Sequence, residues 1–441
     1  MDIFFNNYIN IIMKKKIITS TIILLCGGLL TKFFSILIKI FMTRVLGINL
    51  LSLYMLILPT FSFFITLGQI GLPIILSRFV ALNNKNNKEL YFSVIPITFI
   101  INLLFSIIII FSSSFISSVL LHNKNIKYGI IAIGLVIPFT TLSSICRSYF
   151  FGKEFMFPHV LSNIVENIIR LLFMIYLLPK IIYFDNKIII FILISFNIIS
   201  ECISTLILFL FLPRNFNISI QDFKPNMLYI KELFRLSLPN VSGNLLLSFS
   251  YFLEPIVITN ILLYCGYTNS YITREYGIIT GYIIPFLLLP NFFTIAISQA
   301  IMPYITREYE KKNYCNVFHT ILFISLVIIV FGIIVIYIFF YFGKELLFLI
   351  YKNNLGYYYL KILSPFFILQ YLQSILTFSI NGMGKIKDIF YLSLISSIVR
   401  ILSIIVLSFF KIGIYSYVIS IIINIIICFI FLVYRLFHYL K

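Results

Sequence analysis

The chain has 441 residues, of which 61% are hydrophobic and only 11% are charged, and its mean hydropathy is +1.08. A soluble protein of this length needs far more polar surface around its core, so this composition excludes a water-soluble globular fold. The net charge of +19 does not indicate nucleic-acid binding, because the Lys and Arg residues stand in short segments between apolar runs, where they set orientation and contact anionic lipids.

Apolar runs of about 20 residues or more recur along the whole chain, which is typical of helices that cross a bilayer. We expect an all-α polytopic membrane protein without a sizeable soluble domain. The first run follows Lys14–Lys16, and we interpret it as an uncleaved span because it is too long for a signal peptide. The twelve predicted spans are 17–43, 50–77, 91–115, 127–151, 158–179, 188–212, 234–263, 276–303, 317–342, 358–382, 388–410 and 413–434.

The distribution of basic residues predicts the orientation of these spans. With the N-terminus inside, the inside segments hold nineteen Lys and Arg residues and the outside segments hold ten. This asymmetry favours both termini in the cytoplasm of a multi-pass protein of the cytoplasmic (inner) membrane. The six cysteines are scattered without a CxxC pair, so neither a disulfide framework nor a metal site is expected.

The first span carries two lysines, although an ionisable side chain in a span costs about 3 kcal/mol and usually faces the protein interior or water. Lys32 and Lys39 are seven residues apart, which places them within about 20° on one helical face. Arg44 follows near the predicted outer end. Such cations can form an anion-attracting wall, but Lys39 can also snorkel to the interface and Arg44 can be an interfacial anchor.

Further charges follow in later spans. Glu166 and Arg170 are spaced i, i+4 in the fifth span, which predicts a structural ion pair that neutralises both. Glu201 lacks such a local partner. Glu254 stands directly before Pro255 in the seventh span, where a carboxylate beside a helix break can couple transport to Na⁺ or H⁺, or can pair with a basic residue such as Lys32. Arg274 opens the eighth span and can complete a cationic lining.

An internal repeat relates the two halves of the chain. "LPTFSFFITLGQIGLPIILSR" (58–78) is similar to "LPNFFTIAISQAIMPYITR" (289–307), and a second pair of stretches aligns Arg170 with Arg400. Arg400 has Ser396, not an acid, four residues earlier. The offsets of 229 to 232 residues correspond to six spans, so both halves have one orientation, as in parallel-repeat transporters. We expect two six-helix bundles, 1–212 and 232–441, joined by a cytoplasmic linker over 213–231, with the substrate path in the cleft between them.

Prolines are concentrated in the second, seventh and eighth predicted spans. A proline inside a span frees backbone carbonyls and bends the helix. Pro73, Pro255 and Pro303 are therefore candidate hinges, although static kinks filled by neighbouring side chains explain them equally well.

Three stretches resemble the stage V sporulation protein B family, from the polysaccharide-transporter branch of the MATE/MOP flippase superfamily, alongside MurJ-type lipid II flippases. They are "RVLGINLLSLYMLILPTFSFFITLGQIGLPIILSRFVA", "CRSYFFGKEFMFPHVLSNIVENIIR" and the region beginning "LSLPNVSGNLLLSFSYFLEPIVI". The resemblance implies a MATE-like fold and export of an undecaprenyl-diphosphate-linked peptidoglycan precursor for the spore cortex. It also implies a basic central cavity, for which Lys32, Lys39, Arg44 and Arg274 are the candidates.

Other functions and partners follow from the same reasoning. A MATE-type multidrug antiporter would need acidic cleft residues for organic cations, and a membrane glycosyltransferase would need clustered acidic residues on loops. No Gly-Lys pair continues as a Walker A motif, so an ATP-driven pump is excluded within this chain. We expect no enzymatic activity, no cofactor or metal beyond a coupling Na⁺ or H⁺, and no nucleic-acid partner. The expected partners are the lipid-linked saccharide, anionic lipids and cell-wall synthesis proteins.

Overall fold

The computed structural model describes residues 2–82, 87–213 and 227–440, and within these ranges it describes every side chain except those of 2–22, 25, 87–90, 227–232 and 234–240. All regular elements of this described part are helical, because a continuous apolar run of about 20 residues in lipid can satisfy its backbone hydrogen bonds within a single helix. The prediction of an all-α polytopic fold is confirmed.

The first half contains seven α-helices. They are α1 (Asp2–Gln69), α2 (Leu72–Leu82), α3 (Asn87–Phe115), α4 (Lys127–Gly152), α5 (Met156–Tyr176), α6 (Leu178–Ile181) and α7 (Asn186–Leu210). A π-helical turn, Ile116–Leu120, extends α3, and a 3₁₀ turn, Lys124–Ile126, leads into α4.

The second half contains eight. They are α8 (Met227–Tyr264), α9 (Asn269–Ile278), α10 (Ile284–Leu287), α11 (Asn291–Glu310), α12 (Tyr314–Tyr351), α13 (Tyr357–Gly382), α14 (Ile386–Ser408) and α15 (Tyr415–Leu440). A π-helical turn, Ile279–Ile283, joins α9 to α10.

The long helix α1 holds two of the predicted spans. Gly47 interrupts it with φ 64° and ψ 176°, a backbone conformation that glycine adopts at little cost. The boundary between the predicted spans 17–43 and 50–77 therefore coincides with a real break in the helix. A second break follows at Ile70 (φ 44°) and Gly71 (φ 66°), so the helix within the predicted span 50–77 is interrupted between α1 and α2.

Ten helical segments of the described part are long and apolar enough to cross a membrane, and the number is eleven if α9–α10 and α11 are counted together as one span. The two parts of that pair meet at 49°, so the continuous span predicted over 276–303 is bent. One of the ten, Cys26–Leu82, has 57 residues, which is more than twice the length that a bilayer requires. Counted as two segments on either side of Gly47, it brings the number to the predicted twelve.

Two compact units divide the chain. Unit 1 comprises Met1–Val45, Phe64–Ile116 and Asn125–Val241, and unit 2 comprises Leu46–Phe63, Ser117–Lys124 and Ser242–Lys441. The predicted domain limits, 1–212 and 232–441, stay a prediction, and residues 214–226 of the predicted linker lie outside the described residues.

Unit 1 is organised around α4, which packs against α2, α3 and α7. Its apolar core joins Ile75 and Val80 of α2 to Phe92 of α3 and to Ile145 and Phe150 of α4. Outside this core, large apolar side chains such as Phe111 and Leu210 are 83% exposed, which suits contact with lipid. The same helices therefore present apolar surface on both sides and leave only a few positions for polar groups.

Unit 2 is organised around α13, which packs against α11, α12 and α15. The segment Leu46–Phe63 of α1 packs against α9 through a close approach at Gly277, where an added Cβ would lie 2.2 Å from the hydroxyl of Ser52. Only glycine permits this spacing, so a segment from the first half of the sequence is fixed in the second unit.

Candidate functional site

The predicted cationic residues of α1 lie in unit 1. Lys32 is exposed and Lys39 is half-buried, and their seven-residue spacing within an unbroken helix gives them a common face. Arg44 is exposed and interacts with another group of the protein. Along an ideal helix its side chain is rotated by about 140° from that of Lys39, so the two do not share a face. Arg274 is exposed on α9 of unit 2. Convergence of these four residues on one cavity stays a prediction.

Unit 1 brings four charged side chains into contact with one another, which we call the four-charge cluster: the half-buried Arg147 of α4 and Arg170 of α5, and the buried Glu166 of α5 and Glu201 of α7. Arg170 Nη2 lies 2.6 Å from Glu166 Oε1 and 3.3 Å from Glu201 Oε1. Arg147 forms an ion pair with Glu166, and its Nη2 lies 3.2 Å from Glu201 Oε2. Each arginine thus contacts both carboxylates, and the cluster is formally neutral.

Serine hydroxyls complete the coordination of this cluster. Ser143 donates to Glu201 Oε2 at 2.5 Å, and Ser204 and Ser200 accept from Arg147 and Arg170 at 2.8 and 3.0 Å. Buried charges are tolerated when their remaining donors and acceptors are satisfied in this way. The cluster therefore ties α4, α5 and α7 together inside unit 1.

Sequence reasoning identified the proximity of Glu166 and Arg170 but missed two members of the cluster. Arg147 stands near the inside end of the predicted span 127–151 and was counted among the basic residues of the inside segments, whereas its side chain contacts two glutamates within unit 1. Glu201 had no local basic partner, and its partners come from α4 and α5. The interiors of the fourth, fifth and sixth predicted spans hold two acids and two bases, and these equal numbers of opposite charges were the sequence signal for this cluster.

Unit 2 contains a second buried ionic site around Glu254, which is 2% exposed. Arg400 Nη1 lies 2.6 Å from Glu254 Oε2, and the hydroxyls of Tyr276 and Tyr417 donate to Oε1 at 3.1 and 2.7 Å. The guanidinium carbon of Arg400 lies 4.5 Å from the ring centroid of Tyr251, a cation–π contact. Arg400 is thus the partner of Glu254, and the coupling role of Glu254 stays a prediction.

The arginines at corresponding positions of the repeat have acidic partners in different places in the two ionic sites. Arg170 and Arg400 occupy corresponding positions of the aligned stretches, and both bind buried glutamates. Arg170 binds Glu166, one turn earlier in the same helix, and Glu201 of α7, whereas the glutamate bound to Arg400 lies on α8, 146 residues earlier. A shared basic position therefore has a different acidic partner in each half.

The candidate hinge prolines occupy different helical positions. Pro73 is the second residue of α2. Backbone N–H groups in the first turn of a helix have no partner within the helix, so proline, which lacks an N–H, is well tolerated there. Pro303 lies inside α11 and Pro255 inside α8, and neither helix is interrupted there. Pro73 thus begins a helix instead of bending one, and hinge motion at all three stays a prediction.

In residues 2–82, 87–213 and 227–440, no group of three or more His, Cys, Asp or Glu side chains has an arrangement able to hold a metal ion. All six cysteines are free thiols.

Comparisons with known proteins agree with this architecture. The family described as "Polysaccharide biosynthesis protein" matches residues 17–264, and the MatE family matches residues 255–406. The chain is 27% identical over 397 residues to stage V sporulation protein B of Bacillus subtilis (strain 168), which covers 88% of this chain and 77% of that protein. It is 24% identical over 375 residues to sporulation protein YkvU of the same organism, covering 82% of each.

Solved structures share the fold. An inward-facing structure of a multidrug resistance MATE family transporter of the MOP superfamily superimposes with a TM-score of 0.73 and 15% identity, covering 93% of this chain and 95% of that one. A MOP superfamily transporter from Pyrococcus furiosus gives a TM-score of 0.59 with 13% identity over 97% of both chains. Identity this low shows only that the fold is shared, and it carries no information about the substrate.

These results confirm the predicted MATE-like fold and the resemblance to the stage V sporulation protein B family. The match to residues 17–264 covers more than half of the chain. The chain therefore belongs to the polysaccharide biosynthesis protein family, as a multi-pass membrane protein of the MATE/MOP transporter superfamily.

Proposed function

We propose that this protein is a flippase that moves an undecaprenyl-diphosphate-linked, lipid II-like peptidoglycan precursor across the cytoplasmic membrane by alternating access, for synthesis of the spore cortex. The similarity to stage V sporulation protein B over most of the chain supports the sporulation context. Family and fold are those of transporters and not of enzymes.

The observation that carries this proposal is the neutralisation of the buried acids. Five carboxylates are buried in the described part of the chain, and each contacts a basic side chain: Glu166, Glu201, Glu254, Glu308 and Asp388. A transporter of organic cations needs acidic groups that its cargo can bind. Acids already bound to arginine or lysine are poor candidates, so this pattern favours an anionic substrate.

Two lysines of α1 differ from these paired acids. Within the described residues neither Lys32 nor Lys39 forms an ion pair. A diphosphate cannot enter hydrocarbon unaided because the loss of hydration costs many kcal/mol, and lysine or arginine can replace water around its oxygens. We propose that Lys32, Lys39, Arg44 and Arg274 supply these contacts while the lipid tail stays in the membrane.

The membrane potential favours the proposed direction of transport. With both termini in the cytoplasm, an inside-negative potential drives an anion outward by about 2.3 kcal/mol per charge per 100 mV. Na⁺ or H⁺ coupling through Glu254 would add to this force.

Transport assays in proteoliposomes distinguish the proposed function from its main alternative, a cation-coupled multidrug antiporter. Fluorescent lipid II and a cationic dye such as rhodamine 6G are supplied to the same preparation. We expect protein-dependent movement of lipid II without dye exchange. Dye exchange driven by a Na⁺ or H⁺ gradient, with lipid II unmoved, would establish the antiporter instead. Transport of only another lipid-linked oligosaccharide would change the substrate while keeping the mechanism.

A further inference from the structure

Four tyrosines gather at one end of unit 2, where three helices begin. Tyr267 precedes α9, Tyr271 is in the first turn of α9, Tyr359 is in the first turn of α13, and Tyr415 is the first residue of α15. We call these four residues the tyrosine cluster. In the predicted topology this end of the unit faces the outside of the cell.

The cluster consists of two ring pairs joined by a carboxylate. The rings of Tyr267 and Tyr271 stack with centroids 5.5 Å apart and planes 22° apart. Those of Tyr359 and Tyr415 meet edge to face, with centroids 5.5 Å apart. The hydroxyl of Tyr359 donates to Glu275 Oε2 at 2.8 Å, and Glu275 lies one turn after Tyr271 on α9. Both ring pairs are therefore fixed to the same helix.

Lys411 and Gly413, which precede α15, contact the ring pair of Tyr267 and Tyr271. The hydroxyl of Tyr267 donates to the carbonyl oxygen of Lys411 at 2.5 Å. A Cβ added to Gly413 would lie 3.0 Å from the hydroxyl oxygen of Tyr271 and 3.4 Å from the ring of Tyr267. The rings are thus held rigidly, which lowers the conformational entropy lost when a ligand binds.

The cluster remains accessible. Tyr415 is 42% exposed, and Tyr267, Tyr271 and Glu275 are half-buried, while Tyr359 is buried and supports the ring of Tyr415. Tyrosines of a membrane-interface belt direct their hydroxyls to water and headgroups. Here the hydroxyls of Tyr267 and Tyr359 bind protein atoms instead, which leaves ring surface and carboxylate oxygen available to a ligand.

Rigid aromatic surface beside a carboxylate suits a saccharide. The C–H groups of a pyranose pack against the electron-rich faces of aromatic rings, and its hydroxyls donate to carboxylate oxygens. A carboxylate has about four acceptor sites, of which Tyr359 occupies one, and among the described residues Glu275 forms no ion pair. A phosphate or an anionic lipid headgroup would be repelled by the same carboxylate.

We infer that the tyrosine cluster and Glu275 form a saccharide-binding site that takes the sugar headgroup of the lipid-linked substrate on the outer side of the membrane. This inference rests on the proposed function and specifies which part of the substrate is recognised at this end of unit 2.

The test measures binding of a soluble amino-sugar disaccharide, N,N′-diacetylchitobiose, to the full-length protein in detergent by saturation-transfer NMR. Tyr415→Leu and Glu275→Gln remove ring surface and charge from the site. The control Tyr341→Leu removes an exposed ring that packs against Tyr337 of α12 with centroids 4.5 Å apart and planes 41° apart. We expect each site variant to bind the disaccharide about fivefold or more weakly, and the control to bind like the wild type.

Absence of disaccharide binding by the wild type, or equal binding by the Glu275→Gln variant, would overturn the inference. Glu275→Gln changes volume very little, so it decides the question even where Tyr415→Leu fails to fold. Lipid II movement is measured with the same wild-type preparation. A wild type that binds the disaccharide but moves no lipid II contradicts the proposed function alone, and one that moves lipid II but binds no disaccharide contradicts this inference alone.

Discussion

At the scale of single residues, the main result is that charges buried in the helices are paired across helices. Arg170 has an acidic neighbour one turn earlier, and the sequence predicted that pairing. Arg147 and Arg400 have none, and their partners come from other helices. A partner on another helix depends on how the helices pack, which a pattern along one helix does not contain. Local pairs are therefore predictable from sequence, and long-range pairs are not.

Removing one arginine from the four-charge cluster tests whether it stabilises unit 1. Arg170→Met leaves Glu166 and Glu201 with one arginine between them, and we expect a loss of about 3–5 kcal/mol because an uncompensated buried charge remains. Thermal unfolding in detergent measures this loss. The double variant with Glu166→Gln restores charge balance and should recover much of the stability; an equal loss in both variants would show that charge is not the cause.

A double-mutant cycle measures the interaction energy between Glu254 and Arg400. Single substitutions, Glu254→Gln and Arg400→Met, should each destabilise unit 2, and together they should cost less than the sum of the two because both remove the same ion pair. The Na⁺ and pH dependence of lipid II flipping by Glu254→Gln separates the predicted coupling role from a structural one. Lost ion dependence in a stable variant supports coupling, whereas unchanged ion dependence contradicts it.

At the scale of elements, the sequence placed most helices within a few residues, because long apolar runs with polar ends leave little choice in a membrane. The predicted spans 127–151 and 358–382 agree with Lys127–Gly152 and Tyr357–Gly382 to within one residue. The span predicted over 317–342 was too short, since α12 continues to Tyr351. How far a helix continues past the predicted span depends on its packing, and the hydropathy of the sequence does not indicate that length.

Gly47 separates the two spans of α1, and its substitution tests that break. Its φ of 64° is unfavourable for alanine, while nothing lies within 4 Å of an added Cβ. Its ψ of 176° puts it outside the left-handed helical region, in a conformation that is essentially restricted to glycine, so Gly47→Ala should destabilise the protein by about 1–3 kcal/mol through the backbone alone. The control Gly28→Ala lies in the same helix without a positive φ, also has nothing within 4 Å of an added Cβ, and should not destabilise the protein. Unfolding temperatures in detergent compare the two, and equal values for the two variants would refute a conformational cause.

At the scale of the whole molecule, the MATE-like fold could be predicted from the sequence. The segments that make up each of the two compact units could not. Collinear matches such as Pro73 with Pro303 indicated a doubled chain, and the MATE-like fold is confirmed. The assignment of Leu46–Phe63 and Ser117–Lys124 to unit 2 has no sequence signal that we recognised. It depends on close contacts such as Ser52 with Gly277, which are properties of the packed structure.

The candidate site was only partly predictable for the same reason. Lys32 and Lys39 could be placed on one face because helical spacing fixes their relative rotation. The tyrosine cluster joins residues 148 positions apart in sequence, from Tyr267 to Tyr415, and no periodicity indicates that they meet. Tyrosine is also frequent throughout the chain, with 29 residues, so composition gave no sign of a special group.

The central claim is that basic side chains of the first span carry an anionic lipid-linked substrate. The most direct measurement is the rate of lipid II flipping in proteoliposomes by Lys32→Ala, Lys39→Ala and the double variant, with Lys344→Ala, an exposed lysine of α12, as the control. We expect the double variant to be at least about tenfold slower, because each charge-assisted contact contributes about 1.5–3 kcal/mol, and the control to match the wild type. Wild-type flipping by the double variant would contradict the account.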